Sequence, residues 1–193
     1  DLDWLAGAEH VDSAWDLLGG GAPLGAEVLV YDGTGRHPAP HCAEMAAEAG
    51  SAVSLFSIDG HLAAELTYSE RVIWKKRGYE LGVETQFDHR LIGVDKSGNR
   101  LRVRLINEVT GAETTRVVDQ VVVDHGTQPA DGLYRDLRVG ASNDGVTDLD
   151  ALLAGDAQPS FGEGFALHRI GDAVASRNIP AAILDAFRLM RVV

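Results

Sequence analysis

The chain has 193 residues, enough for one good hydrophobic core, or for one compact domain with pieces of a second. A hydrophobic content of 45% with 24% charged residues is ordinary for a soluble globular protein, and no apolar run approaches the ~20 residues that span a bilayer. The net charge of −12 repels phosphate backbones and anionic membrane surfaces, so neither nucleic acid nor membrane is expected as a partner. A lone Cys42 excludes an internal disulfide and cannot supply the thiolates of an iron–sulfur cluster, which leaves an organic cofactor as the redox centre to expect. The chain opens at Asp1 with no Met and no basic-then-apolar leader, so the expected setting is cytoplasmic.

Residues 1–24 read as a connector or domain edge, with a short helical pattern from Val11 to Leu18 that breaks at Gly19-Gly20-Gly21 and Pro23. Val28 to Tyr31 is a buried parallel strand that enters the turn Asp32-Gly33-Thr34-Gly35. A helix over His41–Ala49, stopped by Gly50, leads to a second strand, Ala52–Phe56, and the three form a βαβ unit. A second helix is predicted over Tyr68–Leu81, with Gly82 ending it before a third strand, Val83–Phe87. The period then changes to that of an antiparallel meander: Leu91–Asp95, Leu101–Ile106 and Thr114–Val118, joined by turns at Lys96–Asn99 and Glu108–Gly111. Gln120–Asp124 returns as a buried strand, so the periodicity of residues 25–126 gives an α/β fold with an antiparallel β-meander insertion. That layout resembles the small nucleotide domain of glutathione-reductase-like flavoproteins, and the resemblance implies that residues 25–126 form a Rossmann-like three-layer nucleotide-binding domain. Residues 127–193 hold short helices near Leu133 and Leu149–Leu153, then a closing strand and helix over about 165–192 that lack a sequence-adjacent parallel partner.

Asp32 to Pro38 sits where a dinucleotide fingerprint belongs, directly after a strand and before a helix. Gly33 and Gly35 fit the pattern, whereas Pro38 takes the third glycine position. An acidic ribose ligand should end the second strand, yet Phe56-Ser57 stands there and Asp59 comes two residues late. Nucleotide binding and a degenerate loop that keeps only the fold both remain open at this turn. His37 and His41 have the spacing of a metal pair, but Pro38 and Pro40 argue against a regular helix through them, so no metal ligand is assigned. His125 and His168 read as hydrogen-bonded histidines at the edge of the core, and Asp119 and Asp124 as carboxylates that end a strand at solvent. No Gly-x-Ser-x-Gly elbow or activated cysteine exists, and no catalytic residue is assigned.

Near the end, Arg169-Ile-Gly171-Asp172-Ala173 followed by Asn178-Ile179-Pro180 delivers a Gly-Asp turn and then a helix whose first turn can offer amides to an anion. Four segments in order, Val28–His37, Ala43–Gly50, Val118–Thr127 and Arg169–Ile179, make the chain resemble the C-terminal part of the NADH:flavin oxidoreductases related to trimethylamine dehydrogenase, histamine dehydrogenase and 2,4-dienoyl-CoA reductase. The resemblance covers nearly the whole chain, from about Trp15 onward. It implies a parent that oxidises or reduces amines or enoyl compounds, with FMN and a 4Fe-4S cluster held in upstream domains that this chain lacks. It also implies that residues 127–193 close an FAD/NAD(P)-binding domain as a strand and helix, so that this chain is not catalytic by itself. By position, the resemblance assigns Gly171 and Asp172 to FAD or ADP, with amides near Asn178 and Ile179. Gly33, Thr34 and Gly35 become the inserted domain's own turn for NAD(P)H or ADP, and Gly126 and Thr127 stand where relatives have Ala-Thr-Gly. The expected partners are a dinucleotide or ADP and the parent's upstream domains, with a second copy of the chain left open. The alternative is a degenerate Rossmann domain that serves as a structural or subunit-contact module without nucleotide.

Overall fold

The computed structural model describes residues 6–159 and 162–193; residues 1–5 of the expected connector and 160–161 of the closing segment lie outside them. The chain divides into two compact units, 1–126 and 127–193.

Unit one is built on a parallel sheet. In chain order its elements are β1 (Asp12–Ser13), α1 (Ala14–Leu18), β2 (Glu27–Asp32), α2 (Pro38–Glu48), β3 (Ala52–Ser57), α3 (Tyr68–Leu81), β4 (Glu84–Gln86), β5 (His89–Ser97), β6 (Arg100–Asn107), β7 (Glu113–Val118) and β8 (Gln120–Asp124). The five parallel strands lie in the order β1-β8-β2-β3-β4, and β5-β6-β7 form a separate antiparallel sheet. Side chains alternate across a strand, and β2 uses both faces. Val28 and Val30 pack with Ala39, Cys42, Ala43 and Ala46 of α2 and with Leu17 of α1. Leu29 and Tyr31 pack with Leu91, Val94, Val103 and Leu105 of the meander. Helices therefore cover one face of the sheet and the meander covers the other, which is why its central strands are continuous apolar runs.

Two regions differ from the sequence reading for physical reasons, the start of the chain's first helix and the start of α2. Asp12 and Ser13, expected inside a helical pattern, pair with Val122 and Val123 as the edge strand β1, and the helix that follows begins at Ala14 with the Ser13 hydroxyl accepting from Asp16 N at 3.0 Å. Helix α2 starts at Pro38 instead of His41: the first turn of a helix has no intrahelical use for its amides, so Pro38 and Pro40 are tolerated there, and His41 N already donates to His37 O at 3.1 Å. Helix α3 matches its predicted span, held by a capping box between Thr67 and Glu70 and ended by Gly82 at φ 71°.

Unit two contains α4 (Gly132–Arg138), α5 (Leu149–Ala154) and α6 (Ile179–Leu189), with a 3₁₀ turn at Gly171–Ala173. Among the described residues the segment from Phe165 makes one bridge, to Ala141, and does not enter a ladder, because a strand without a neighbour has no partners for its backbone groups. Few large side chains are buried in this unit: Leu189 and Val192 are, whereas Ile179, Ile183, Phe187 and Met190 on or beside α6 are exposed.

Candidate functional site

Open α/β sheets bind ligands beyond the carboxyl ends of their strands, where the strand order reverses. In unit one that point lies between β2 and β8, at Asp32-Gly33-Thr34-Gly35 and Asp124-His125-Gly126. Gly33 N donates to Asp124 O at 2.8 Å, and a side chain at Gly33 would strike His125 Nδ1 and Asp124 O. Thr34 N and Gly35 N both donate to Asp32 Oδ1, at 3.1 and 2.8 Å. The Thr34 hydroxyl donates to Asp124 Oδ2 at 2.6 Å, and Gly126 N donates to Asp124 Oδ1 at 3.2 Å. Thr127 is the first residue of unit two and is exposed.

Asp32 and Asp124 are thus structural centres of the turn. Asp124, read from sequence as a strand end at solvent, is only 3% exposed; its acceptor role depends on the distant Thr34, which no local pattern reveals. Asp119 keeps an exposed position and accepts from Glu27 N at 2.8 Å. Burial pushes the Asp32 carboxyl up to about 6, opposed by the Gly35 and Thr34 amides and reinforced by Asp124 and Asp59. Asp59 lies beyond β3, with its Oδ2 2.8 Å from where a Cβ on Gly35 would stand, and its own amide donates to Ser57 Oγ at 3.2 Å.

The histidines take other roles. His37 and His41 flank Trp74 of α3, with ring centroids at 6.4 and 6.0 Å, and no group of three or more metal-ligating side chains occurs among the described residues. His125 stacks at a tilt on Tyr31, centroids 5.1 Å apart, and burial pulls its imidazole below the ordinary value. His168 Nδ1 lies 2.8 Å from the Thr147 hydroxyl. Cys42 is buried against Ala14 O, and burial pushes its thiol up to about 12, which removes it as a nucleophile.

Unit two brings Gly171, Asp172, Asn178 and Ile179 together. Gly171 has φ +55°, a left-handed backbone that favours glycine, and a Cβ there would sit a tight 3.2 Å from the Ala182 Cβ of α6. Its amide donates to Asp185 Oδ2 at 3.1 Å, and Asp185 also binds Arg177, a pair that sequence patterns did not reveal. Asp172 is exposed, and its backbone carbonyl accepts from Ala130 N at 2.9 Å. Asn178 caps α6: its Oδ1 accepts from Ala181 N at 2.9 Å and its carbonyl from Ala182 N at 3.1 Å. Pro180 has no N–H, so the disengaged amide of this first turn is that of Ile179. An open cavity of about 580 Å³ is lined by Asp172, Arg177, Asn178, Ile179, Ala182 and Ile183, among others.

No family model matches the chain. The chain is 42% identical over 188 residues to the "Probable N-methylproline demethylase" of Rhizobium meliloti (strain 1021), covering 96% of this chain and 28% of that protein. It is 40% identical over 194 residues to the "Multifunctional alkene reductase/demethylase OYE" of Caballeronia cordobensis, covering 98% and 29%. It therefore spans less than a third of the length of these relatives. Among solved structures, the fold is shared with 6-hydroxypseudooxynicotine amine oxidase from Pseudomonas geniculata N1 (TM-score 0.74, 22% identity, 97% of this chain and 25% of that one). It is shared also with histamine dehydrogenase from Rhizobium sp. 4-9 (TM-score 0.70, 22% identity, 98% and 26%). The sequence corresponds to the C-terminal part of the NADH:flavin oxidoreductase group related to trimethylamine dehydrogenase and histamine dehydrogenase.

Proposed function

We propose that the chain is the C-terminal portion of a flavin-dependent oxidoreductase acting on amines or enoyl compounds, and that it contributes one wall of an FAD or ADP site without being catalytic itself. The observation that carries this reading is the junction of Gly171-Asp172 with the start of α6, where the exposed Asp172 and the disengaged Ile179 amide border one open cavity and Gly171 turns the chain beside Ala182. These residues fit a dinucleotide: Asp172 can accept hydrogen bonds from ligand hydroxyls, and Ile179 N–H at the positive end of α6 can donate to a phosphate oxygen. Asp185 holds Gly171 N and Arg177 together and so fixes the turn against the helix. When bound, FAD would supply hydride or electron transfer, whereas ADP would be structural. The apolar face of α6, with Ile179, Ile183 and Phe187 exposed, suits packing against upstream domains of the parent.

The test uses the full-length protein that carries this chain, with its nucleotide released by acid and quantified. FAD or ADP is expected in proportion to chain concentration. Asp172→Ala is expected to weaken retention by roughly tenfold or more, the loss of a hydrogen bond to a charged group. Full nucleotide content in that variant would refute the assignment. A second reading, a scaffold domain without nucleotide, applies to the glycine turn of unit one, where the amides of Gly33, Thr34 and Gly35 are already engaged.

A further inference from the structure

The crevice of unit one can be followed donor by donor. Between Gly33 and Pro40 the backbone has six N–H groups, since Pro38 and Pro40 carry none. The three in the glycine turn itself are spent inside the chain: Gly33 on Asp124 O, Thr34 and Gly35 on Asp32 Oδ1. In a dinucleotide turn the glycines let the backbone approach a pyrophosphate, which the helix N-terminus then holds. Here a carboxylate of the chain accepts from the turn amides, and Asp124 and Asp59 stand near enough to act on Asp32 electrostatically. Three carboxylates around one turn repel a polyanion before any contact is made.

The space beyond the turn is filled as well. After β3 the chain doubles back so that Glu65 N donates to Gly35 O at 2.9 Å, and the amides of Ala64 and Glu65 lie 3.1 Å from where a Cβ on Gly35 would be. Leu62 and Ala63 are buried, at 5% and 0% exposure, in the core cluster beneath α2. Ala63 holds φ +51°, a left-handed backbone that a non-glycine residue adopts only when its surroundings enforce it. The segment is therefore anchored across the carboxyl ends of β2 and β3.

We propose that Asp32 is a specificity-determining residue that closes unit one to dinucleotides: its carboxylate takes the turn amides that a pyrophosphate would use, and Leu62–Glu65 occupy the crevice beyond them. This goes beyond the cofactor reading for unit two, from which it is separable because the two sites lie in different units with different reporter amides. The test is ¹⁵N–¹H spectroscopy of the 193-residue chain. With NADH or ADP added to millimolar concentration, the resonances of Gly33, Thr34 and Gly35 are expected to stay in place, whatever happens at Gly171 and Ile179. Saturable shifts at the glycine turn would overturn the proposal. In Asp32→Ala, hydrogen exchange at Thr34 N and Gly35 N is expected to accelerate by roughly tenfold or more relative to the parent chain, while the amides of Val121 and Val122 keep their protection. Unchanged protection at Thr34 and Gly35 would equally overturn it. If that variant does not fold, the ligand experiment on the unmodified chain still decides.

Discussion

Replacing Asp32 by asparagine should change how stability depends on pH more than it changes stability at any one pH. Asp32 is fully buried, and its carboxyl is pushed from the ordinary 3.8 up to about 6, first by desolvation, with Asp124 and Asp59 adding to the rise and the Gly35 and Thr34 amides opposing it. Because the folded state holds this proton to higher pH than the unfolded state does, the group's contribution to stability is fully present below 3.8 and is lost as pH rises through about 6. A displacement of that size corresponds to about 3 kcal/mol. Asparagine does not titrate, so the stability of Asp32→Asn relative to the parent should rise by about 2.5 kcal/mol between about pH 4 and about pH 8. Its carbonyl can keep the Thr34 and Gly35 amides, but its NH₂ would replace Oδ2, which has no hydrogen-bond partner among the described residues, at a pH-independent cost of about 1–3 kcal/mol. The variant should thus be the less stable protein at low pH and equal or better at high pH. Urea unfolding followed by tryptophan emission measures this directly, since Trp15 and Trp74 lie in unit one. A difference between variant and parent that stays constant within about 0.5 kcal/mol across that pH range would refute the reasoning.

Three further outcomes follow from packing and capping. Leu29→Ala removes a fully buried side chain between sheet and meander and should cost about 3 kcal/mol, lowering the melting temperature of unit one by roughly 10 °C, whereas Leu153→Ala on exposed α5 should change stability by less than about 0.5 kcal/mol; calorimetry distinguishes them. Asn178→Ala loses the α6 cap and should destabilise that helix by about 1 kcal/mol, read as faster hydrogen exchange at Ala181 and Ala182. Gly171→Ala forces a methyl into a left-handed backbone against Ala182 and should cost more than about 1 kcal/mol, seen as earlier proteolysis within residues 127–193 at unchanged tryptophan emission.

The parallel strands, the two longer helices of unit one and the meander were legible because their signals are local: apolar runs bounded by Gly-rich turns, and a change of period at His89. Edge strand β1 was not, since Asp12 and Ser13 carry no strand pattern and pair with Val122 and Val123, more than a hundred residues away. Helix α2 starts three residues before the pattern that begins at His41, because a first turn accepts the two prolines that would break a helix interior. The glycine turn was visible as a motif. The use of its amides was not, because that depends on where the Asp32 carboxylate points and on the return of the chain at Glu65, neither of which spacing encodes.

The place of β8 in the sheet also bears on synthesis. Strand β2 is central, yet one of its two neighbours is made only after the whole meander, at Gln120–Asp124. At ribosomal rates of about 5–20 residues per second, the β2 edge waits roughly 5–20 s for that neighbour. During that interval Val28 to Tyr31 present an uncovered apolar edge, the kind of surface that pairs with the wrong strand or engages a chaperone. The meander covers the Leu29 and Tyr31 face of the strand but leaves that edge without its neighbour. For this chain the hazardous moment lies at the ribosome, before the sheet that makes the finished molecule stable is complete.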